Sequence, residues 1–321
     1  IAGALVALAQ VDLKRAFSYS TTSYLGLVFI ALALGQPALA LLLLLCHGLA
    51  KALLFMSVGS VIATTNCQDL TELGGLGTRM PATTLAYLVA ASGLVGLLPL
   101  GCFWCFGLGV EALWAQSPFF AGVFLLTNLL TAINLTRVYR SVFLGSAMPK
   151  TKRAPEVNWL MALPMVSLTV LVLLTPLLMA KFDPVPGIGA FSLPVALAVA
   201  GSGLGGVAIG SRIGLDQFWS RSIQQPLRGL QDLLAFDFYT ERFYKSTIVA
   251  FVAGLARFTN GLDRQGVNGL VNGVGRLSLQ SAENLKFSVS GQLQSYLLTV
   301  VLSLVVLLTS LSWLLGAGSQ G

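Results

Sequence analysis

Histidine is almost missing from this chain: one residue, His47, stands among 321. Charge is scarce too. Asp, Glu, Lys and Arg make up 10% of the chain, where soluble domains carry roughly a quarter. One histidine leaves no plausible Ser-His-Asp set, and there is no Gly-rich phosphate loop. The four cysteines, Cys46, Cys67, Cys102 and Cys105, do not form a disulfide framework. Cys102 and Cys105 make a C-x-x-C, but no second pair or adjacent histidine completes a zinc site, and packing is the better reading. Acids are the scarcer sign, and the net charge is +7. No basic patch interleaves with exposed aromatics, which excludes nucleic acid as a partner. The start, "IAGALVALAQ", has neither a basic n-region nor a cleavage site, and reads as the end of an apolar helix in a fragment of something longer.

What is abundant is apolar residue, 55% of the chain. Runs long enough to span about 30 Å of hydrocarbon recur near 17–34, 38–63, 81–110, 117–138, 158–180, 191–211 and 295–315. The fold class is an all-α polytopic membrane protein in contact with the lipid bilayer. The third run exceeds one crossing and carries Gly96, Pro99, Gly101, Gly107 and Gly109, the composition of a broken membrane helix. If each run crosses once, one side collects Lys14, Arg15, Arg79, Arg137, Arg140, Lys150, Lys152, Arg153 and Arg212, and the other only Lys181. That asymmetry makes the first side cytoplasmic. "GSGLGG" at 201–206 has the wrong spacing for a dinucleotide fingerprint and suits close helix packing.

Three parts follow: a transmembrane bundle at 1–213, an amphipathic helix at 214–294 and a terminal anchor at 295–316. In the middle part Val267, Leu270, Val271, Val274 and Leu277 share one face, and Arg264, Asn268, Asn272 and Arg276 the opposite one. A helix of this length lies along the surface. Glycines between Gly261 and Gly275, and the Gln225-Pro226 pair, predict interruptions.

The chemistry lies in "LLLLLCHGLAKALLFMSVGS" at 41–60. Lys51 sits mid-membrane, where an ammonium is expensive and functional by default. His47 is four residues earlier, so both side chains share one helix face. A proton relay needs groups that take and give protons across water, and these two form such a pair. Lys14 is a third candidate, because the hydroxyls of Ser18 to Tyr24 follow it at the membrane boundary. Asp12, Asp69, Glu72 and Glu111 read as boundary charges.

"DLKRAFSYSTTSYLG" and "HGLAKALLFMSVGSVI" resemble the two most recognisable blocks of the antiporter-like subunits of complex I-type NAD(P)H–quinone oxidoreductases. "LTELGGLGTRMP" resembles the loop that follows them, and "GLVGLLPLGCFW" the start of the family's broken helix. The amphipathic stretch with "AENLKFSVSGQLQSYLL" is similar to the distal members, called subunit 5, L or F, of cyanobacteria and plastids. The resemblance implies inverted five-helix repeats, of which this chain holds the second half-channel, the lateral helix and the anchor. It implies that Lys51 is the central proton carrier, His47 its relay and Lys14 a further relay residue. It implies a buried water wire and no cofactor in this chain, with redox cofactors in other subunits. The implied partners are other membrane subunits, with a D-type neighbour under the lateral helix, and the implied location is a thylakoid membrane, with plastoquinone as acceptor.

The chain departs from the family pattern twice. Leu43 stands where many relatives carry another histidine. "GCFWCFGLG" puts Phe106, Gly107 and Leu108 where lysine, aspartate and glutamate are usual. The second departure is similar to the carbon-dioxide-uptake variants, which dock a carbonic-anhydrase-like zinc protein. A multisubunit sodium/proton antiporter and a non-pumping scaffold are the alternatives.

Overall fold

The computed structural model describes residues 1–97, 99–182, 192–212, 228–288 and 291–317. Apart from one bridge between Asp12 and Asp69, regular structure among them is helical. The chain forms two compact units, Ile1–Thr240 and Glu241–Gly321.

The first unit contains α1 (Ala2–Ala9), α2 (Leu13–Ala33), α3 (Pro37–Thr65), α4 (Pro81–Leu94), α5 (Gly101–Gln116), α6 (Pro118–Phe143), α7 (Trp159–Phe182), α8 (Leu193–Arg212) and α9 (Arg228–Ala235). Helix starts follow local chemistry. The Asp12 carboxylate accepts from the Arg15 N–H at 2.9 Å, which fixes the α2 start four residues before the apolar run at 17–34. Pro37, Pro81 and Pro118 occupy first helical positions, where no N–H is required. Glu156 caps α4, accepting from the Ala82 N–H at 2.9 Å and the Thr83 hydroxyl at 2.6 Å.

The run 81–110 is a broken helix. α4 has 14 residues, roughly 21 Å at 1.5 Å per residue, too short to cross alone. The chain leaves helical geometry after Leu94 and resumes at Gly101. Pro99 supplies no donor, so fewer backbone groups need partners in the gap. Five other helices of this unit are long and apolar enough to cross a membrane: those at Leu13–Ala33, Pro37–Thr65, Pro118–Phe143, Trp159–Lys181 and Leu193–Arg212.

α6 and α8 pack most extensively. A Cβ on Gly206 would lie 2.5 Å from the Leu129 carbonyl and from the Ala132 methyl. The "GSGLGG" run therefore brings two backbones together, as small residues do in membranes.

Arg137 corrects the loop reading of the basic residues. It lies inside α6 and is 2% exposed. Its guanidinium donates to the carbonyls of Leu8 at 2.9 Å and Gln10 at 2.8 Å, and to Asn134. Those carbonyls are at the C-terminal end of α1, where a cation is favoured by the helix dipole.

The first unit also takes in α9, whose Leu234 packs on Val6 and Ala9. After a tight left-handed turn at Asp237, Phe238 and Tyr239, helical geometry runs from Thr240 to Ser288 through α10 (Thr240–Tyr244), α11 (Ala250–Leu262) and α12 (Asn268–Ser288). The glycines at 261–275 do not break it. Wider π turns at Lys245–Val249 and Asp263–Val267 absorb the irregularity. This stretch spans roughly 70 Å, and its apolar side chains, such as Phe251, Leu255, Phe258 and Leu270, are exposed. Gln225-Pro226 and the first residues of the 214–294 stretch lie outside the described residues. α13 (Leu293–Ala317) contains a sixth membrane-length apolar segment, Leu293–Trp313.

Candidate functional site

The core of the first unit is split. One apolar cluster gathers Leu13 and Phe17 of α2, Ala50 to Val61 of α3, Tyr87 of α4 and Ala132 to Phe143 of α6. The other gathers Tyr24 to Ala31, Leu39 to Cys46, Cys102 to Leu113, Ala121 and Phe124. Between them, on four of the five membrane-length helices of this unit, stand polar residues. Ser20 and Ser23 lie on α2, His47 and Lys51 on α3, Thr127, Asn128 and Thr131 on α6, and Thr175 on α7, all buried. The gap between α4 and α5 joins this layer.

Lys51 is 6% exposed. Its Nζ donates to the Phe17 carbonyl at 3.0 Å and to the Ser20 hydroxyl, and lies over the Phe17 and Phe55 rings at 5.6 and 5.9 Å. Among the described residues no carboxylate bonds to it. α2 supplies both acceptors because Phe17 and Ser20 are three apart and face α3 together. The Ser20 hydroxyl also donates to the Phe17 carbonyl at 2.9 Å.

His47 is 5% exposed, and neither ring nitrogen has a hydrogen-bond partner among the described residues. Its ring stacks on Tyr24, with centroids 4.1 Å apart. Ser23 and Thr127 hydroxyls are likewise buried and unbonded. The structure thus brings His47 and Lys51 to one buried level. It does not bring Lys14 there. Lys14 is exposed on α2, one turn outside Phe17, and its carbonyl accepts from Ser18.

Phe106 is fully buried. Its ring meets Tyr24 edge-on at 5.7 Å and Phe124 at 6.1 Å, so aromatic surface occupies the place beyond His47. Cys102 and Cys105 are free thiols buried in the same cluster, and Cys46 lies 3.8 Å from the Met179 sulfur. Packing explains all three. Among the described residues no group of three or more His, Cys, Asp or Glu side chains is arranged to hold a metal ion.

Asn128 was not anticipated. Its carbonyl oxygen accepts from the Gly96 N–H at 2.8 Å, and its amide donates to the Val199 carbonyl at 3.1 Å and the Ser202 hydroxyl at 2.8 Å. One side chain satisfies the helix gap and ties α6 to α8. The signal was present as an asparagine in an apolar run, "FLLTNLLTAINLT".

Outside the bundle core, Lys150 pairs with Glu72, which also accepts from the Cys67 thiol at 3.2 Å. The Lys150 ammonium holds the Glu72 carboxyl below its usual value, and Glu72 raises Lys150 in turn. Burial pushes the Cys67 thiol up. Of the other boundary acids, Asp69 accepts from the Thr71 N–H at 2.8 Å, and Glu111 accepts from Ser192.

Residues 1–131 match the family described as NADH:quinone oxidoreductase/Mrp antiporter, TM. The chain is 64% identical over 314 residues to the NAD(P)H-quinone oxidoreductase subunit 5, organellar chromatophore 2, of Paulinella chromatophora, covering 98% of this chain and 51% of that protein. It is 28% identical over 343 residues to the chloroplastic subunit 5 of Chara vulgaris, covering 95% and 52%. The chain spans about half the length of these curated relatives. Among solved structures, the Mrp complex from Dietzia sp. DQ12-45-1b shares the fold at 18% identity and a TM-score of 0.53, over 65% of this chain and 46% of that one.

Proposed function

This chain belongs to the NADH:quinone oxidoreductase/Mrp antiporter transmembrane family, and from that premise we propose that it is the proton-carrying part of a membrane subunit of an NAD(P)H–quinone oxidoreductase. The observation that carries the reading is Lys51. Its ammonium is buried between two apolar clusters and held by a carbonyl and a hydroxyl, with no bonded carboxylate. A partnered carboxylate would lock the charge in place. Neutral acceptors hold the ammonium but release it as an amine when positive charge arrives nearby.

His47 is the neighbouring station. Its unbonded nitrogens and the Ser23 and Thr127 hydroxyls are positions for ordered water that would connect the stations. Lys14, on the exposed face of α2, would accept protons at the outer end. This chain moves protons only. Electrons pass through redox cofactors in other subunits, reducing plastoquinone. The partners are other membrane subunits, with a D-type neighbour under the amphipathic helix. The membrane is the thylakoid, with the basic loops and the amphipathic helix on the cytoplasmic side.

Phe106 favours a second feature. An aromatic wedge at the usual lysine position suits a specialised form in which the proton path serves carbon-dioxide hydration on a docked carbonic-anhydrase-like zinc protein.

The test is Lys51→Ala in the intact complex, in sealed vesicles, with a pH-sensitive dye following proton transfer during electron flow. Proton transfer should fall to background while subunit composition stays intact. Undiminished transfer in an assembled complex would refute the relay. Sodium counterflow in the same vesicles would instead point to a sodium/proton antiporter.

A further inference from the structure

Buried polar atoms without a partner are unevenly placed along the bundle. Among the described residues they include both His47 ring nitrogens, the Ser23 and Thr127 hydroxyls and the Asn134 amide nitrogen. Neighbouring contacts fix their heights. His47 stacks on Tyr24. A Cβ on Gly3 would lie 2.9 Å from the Ser23 backbone nitrogen, and Ala4 packs with Leu130 and Ile133. α1 therefore sets Ser23 of α2 level with Leu130 and Thr131 of α6. Thr127, Thr131 and Asn134, spaced four and three, form one stripe of α6. The stripe runs toward the end of the bundle where α1 and α6 finish.

Polar groups continue to that end. The Asn134 oxygen accepts from Arg137 at 3.3 Å, and Arg137 donates to the Gln10 carbonyl at 2.8 Å. Gln10 lines an open recess with Asp12, Asn66 and Asp69. The apolar cluster of this half takes Ala132, Leu135 and Val142 from α6 and leaves the stripe outside. The opposite half differs. Beyond Tyr24, whose hydroxyl lies beside the Cys102 thiol, its core is built of Leu27, Ala31, Leu39, Leu43, Phe106 and Leu113. Among the described residues no side-chain oxygen or nitrogen there is buried and unbonded. From Phe106 to Leu113 this layer is roughly 10 Å thick, at 1.5 Å per residue. A buried water needs about two to four polar partners. The stripe offers them, the layer around Phe106 offers none, and an apolar constriction excludes water.

We propose that the water serving His47 and Lys51 is one-ended: it follows Thr127, Thr131 and Asn134 to the Gln10 end, and the opposite half of the bundle is a dry plug centred on Phe106. Its purpose rests on the relay reading. Lys51 then trades protons with that end alone, and Ser23, Thr127 and Asn134 are positioning residues that hold its water. A proton on Lys51 leaves by the same end or to a neighbouring subunit, not through the plug.

The test is pulsed hydroxyl-radical footprinting of the intact complex, in which water held against a side chain marks it by oxidation. His47 should be labelled while Phe106 and Leu113 stay at background. Ser23→Ala combined with Thr127→Val removes two water partners with little change in bulk, and should abolish the His47 label. Thr127→Ser alone should keep it. Label on Phe106 and Leu113 equal to that on His47 in the native complex overturns the proposal, as does an unlabelled His47. A His47 label that survives the double substitution in an assembled complex overturns it too. The native pattern decides even if the double variant fails to assemble. Footprinting does not depend on turnover. If the expected pattern holds while Lys51→Ala leaves proton transfer undiminished, the relay fails and the one-ended water stands.

Discussion

Replacing Asn128 with leucine tests how the helix gap is held. The substitution keeps volume and apolarity but removes an acceptor and two donors. The Val199 carbonyl stays within α8 and keeps access to its own helical hydrogen bond. Ser202 keeps its bond to the Val199 carbonyl at 2.8 Å. The Gly96 N–H has no such fallback, because it lies in the gap between α4 and α5 and bonds to Asn128 alone among the described residues. Leaving a buried donor unsatisfied costs about 1–3 kcal/mol, and polar contacts between membrane helices average below that. About 2 kcal/mol is the expected loss, concentrated at the gap, and it corresponds to an opening equilibrium roughly 30-fold larger. Hydrogen exchange on the intact complex, read on the peptide covering 93–101, should accelerate by that factor. Peptides from α2 and α3 should be unchanged. Thr131→Ala, one turn along α6, controls for general loosening. Exchange at 93–101 within twofold of wild type would refute the assignment of Asn128 as the gap's partner.

Gly206→Ala should lower the thermal transition of the detergent-solubilised complex, because a Cβ there meets the Leu129 carbonyl at 2.5 Å. Gly201→Ala, with nothing within 4 Å, should be neutral or slightly stabilising by about 0.5–1 kcal/mol. Arg137→Met leaves the Leu8 and Gln10 carbonyls without their donor. It should loosen α1 by about 1–3 kcal/mol, read as faster exchange in 2–12, and lysine should rescue it poorly because it lacks the planar fork. The Glu72–Lys150 pair gives a pH signature. Glu72 is lowered, so its contribution is present above its ordinary value of 4.5 and lost as pH falls through a lower midpoint. Lys150 is raised, so its contribution is present below 10.5 and lost only above that. Limited proteolysis of the 144–157 connection should be faster in Glu72→Gln than in wild type across neutral pH. That difference should shrink on acidification, as pH falls below 4.5 through the lowered Glu72 midpoint; a difference independent of pH would sink the pairing.

Much of this was legible because a membrane restricts what a residue can mean. Lys51 and His47 announced themselves by cost and spacing, and both are buried on one face of α3. The glycines and proline of 93–101 announced a broken helix, since lipid tolerates few other uses for them. Arg137 misled, because a basic residue near a helix end looks the same whether it meets water or the carbonyls of α1. The glycines at 261–275 misled in the other direction. Glycine lowers helix propensity, but the helix here absorbs them in a π turn.

The sequence by itself determined the helical membrane class and singled out His47 and Lys51 as a candidate pair on one helix face. Of its seven apolar runs, six hold membrane-length helices among the described residues, and 81–110 is divided between α4 and α5. Hydropathy, helical period and the cost of burying charge are local quantities, readable along one chain. Which groups hold those residues was decided only by tertiary structure. The Phe17 carbonyl and Ser20 reach Lys51 from another helix, and Asn128 reaches Gly96 across 32 residues. The division of the core into two apolar clusters with a polar level between them arises from the relative heights at which the helices pack. No local pattern specifies those heights. They follow from where backbones can approach, as at Gly206, and where a stranded N–H must find an oxygen.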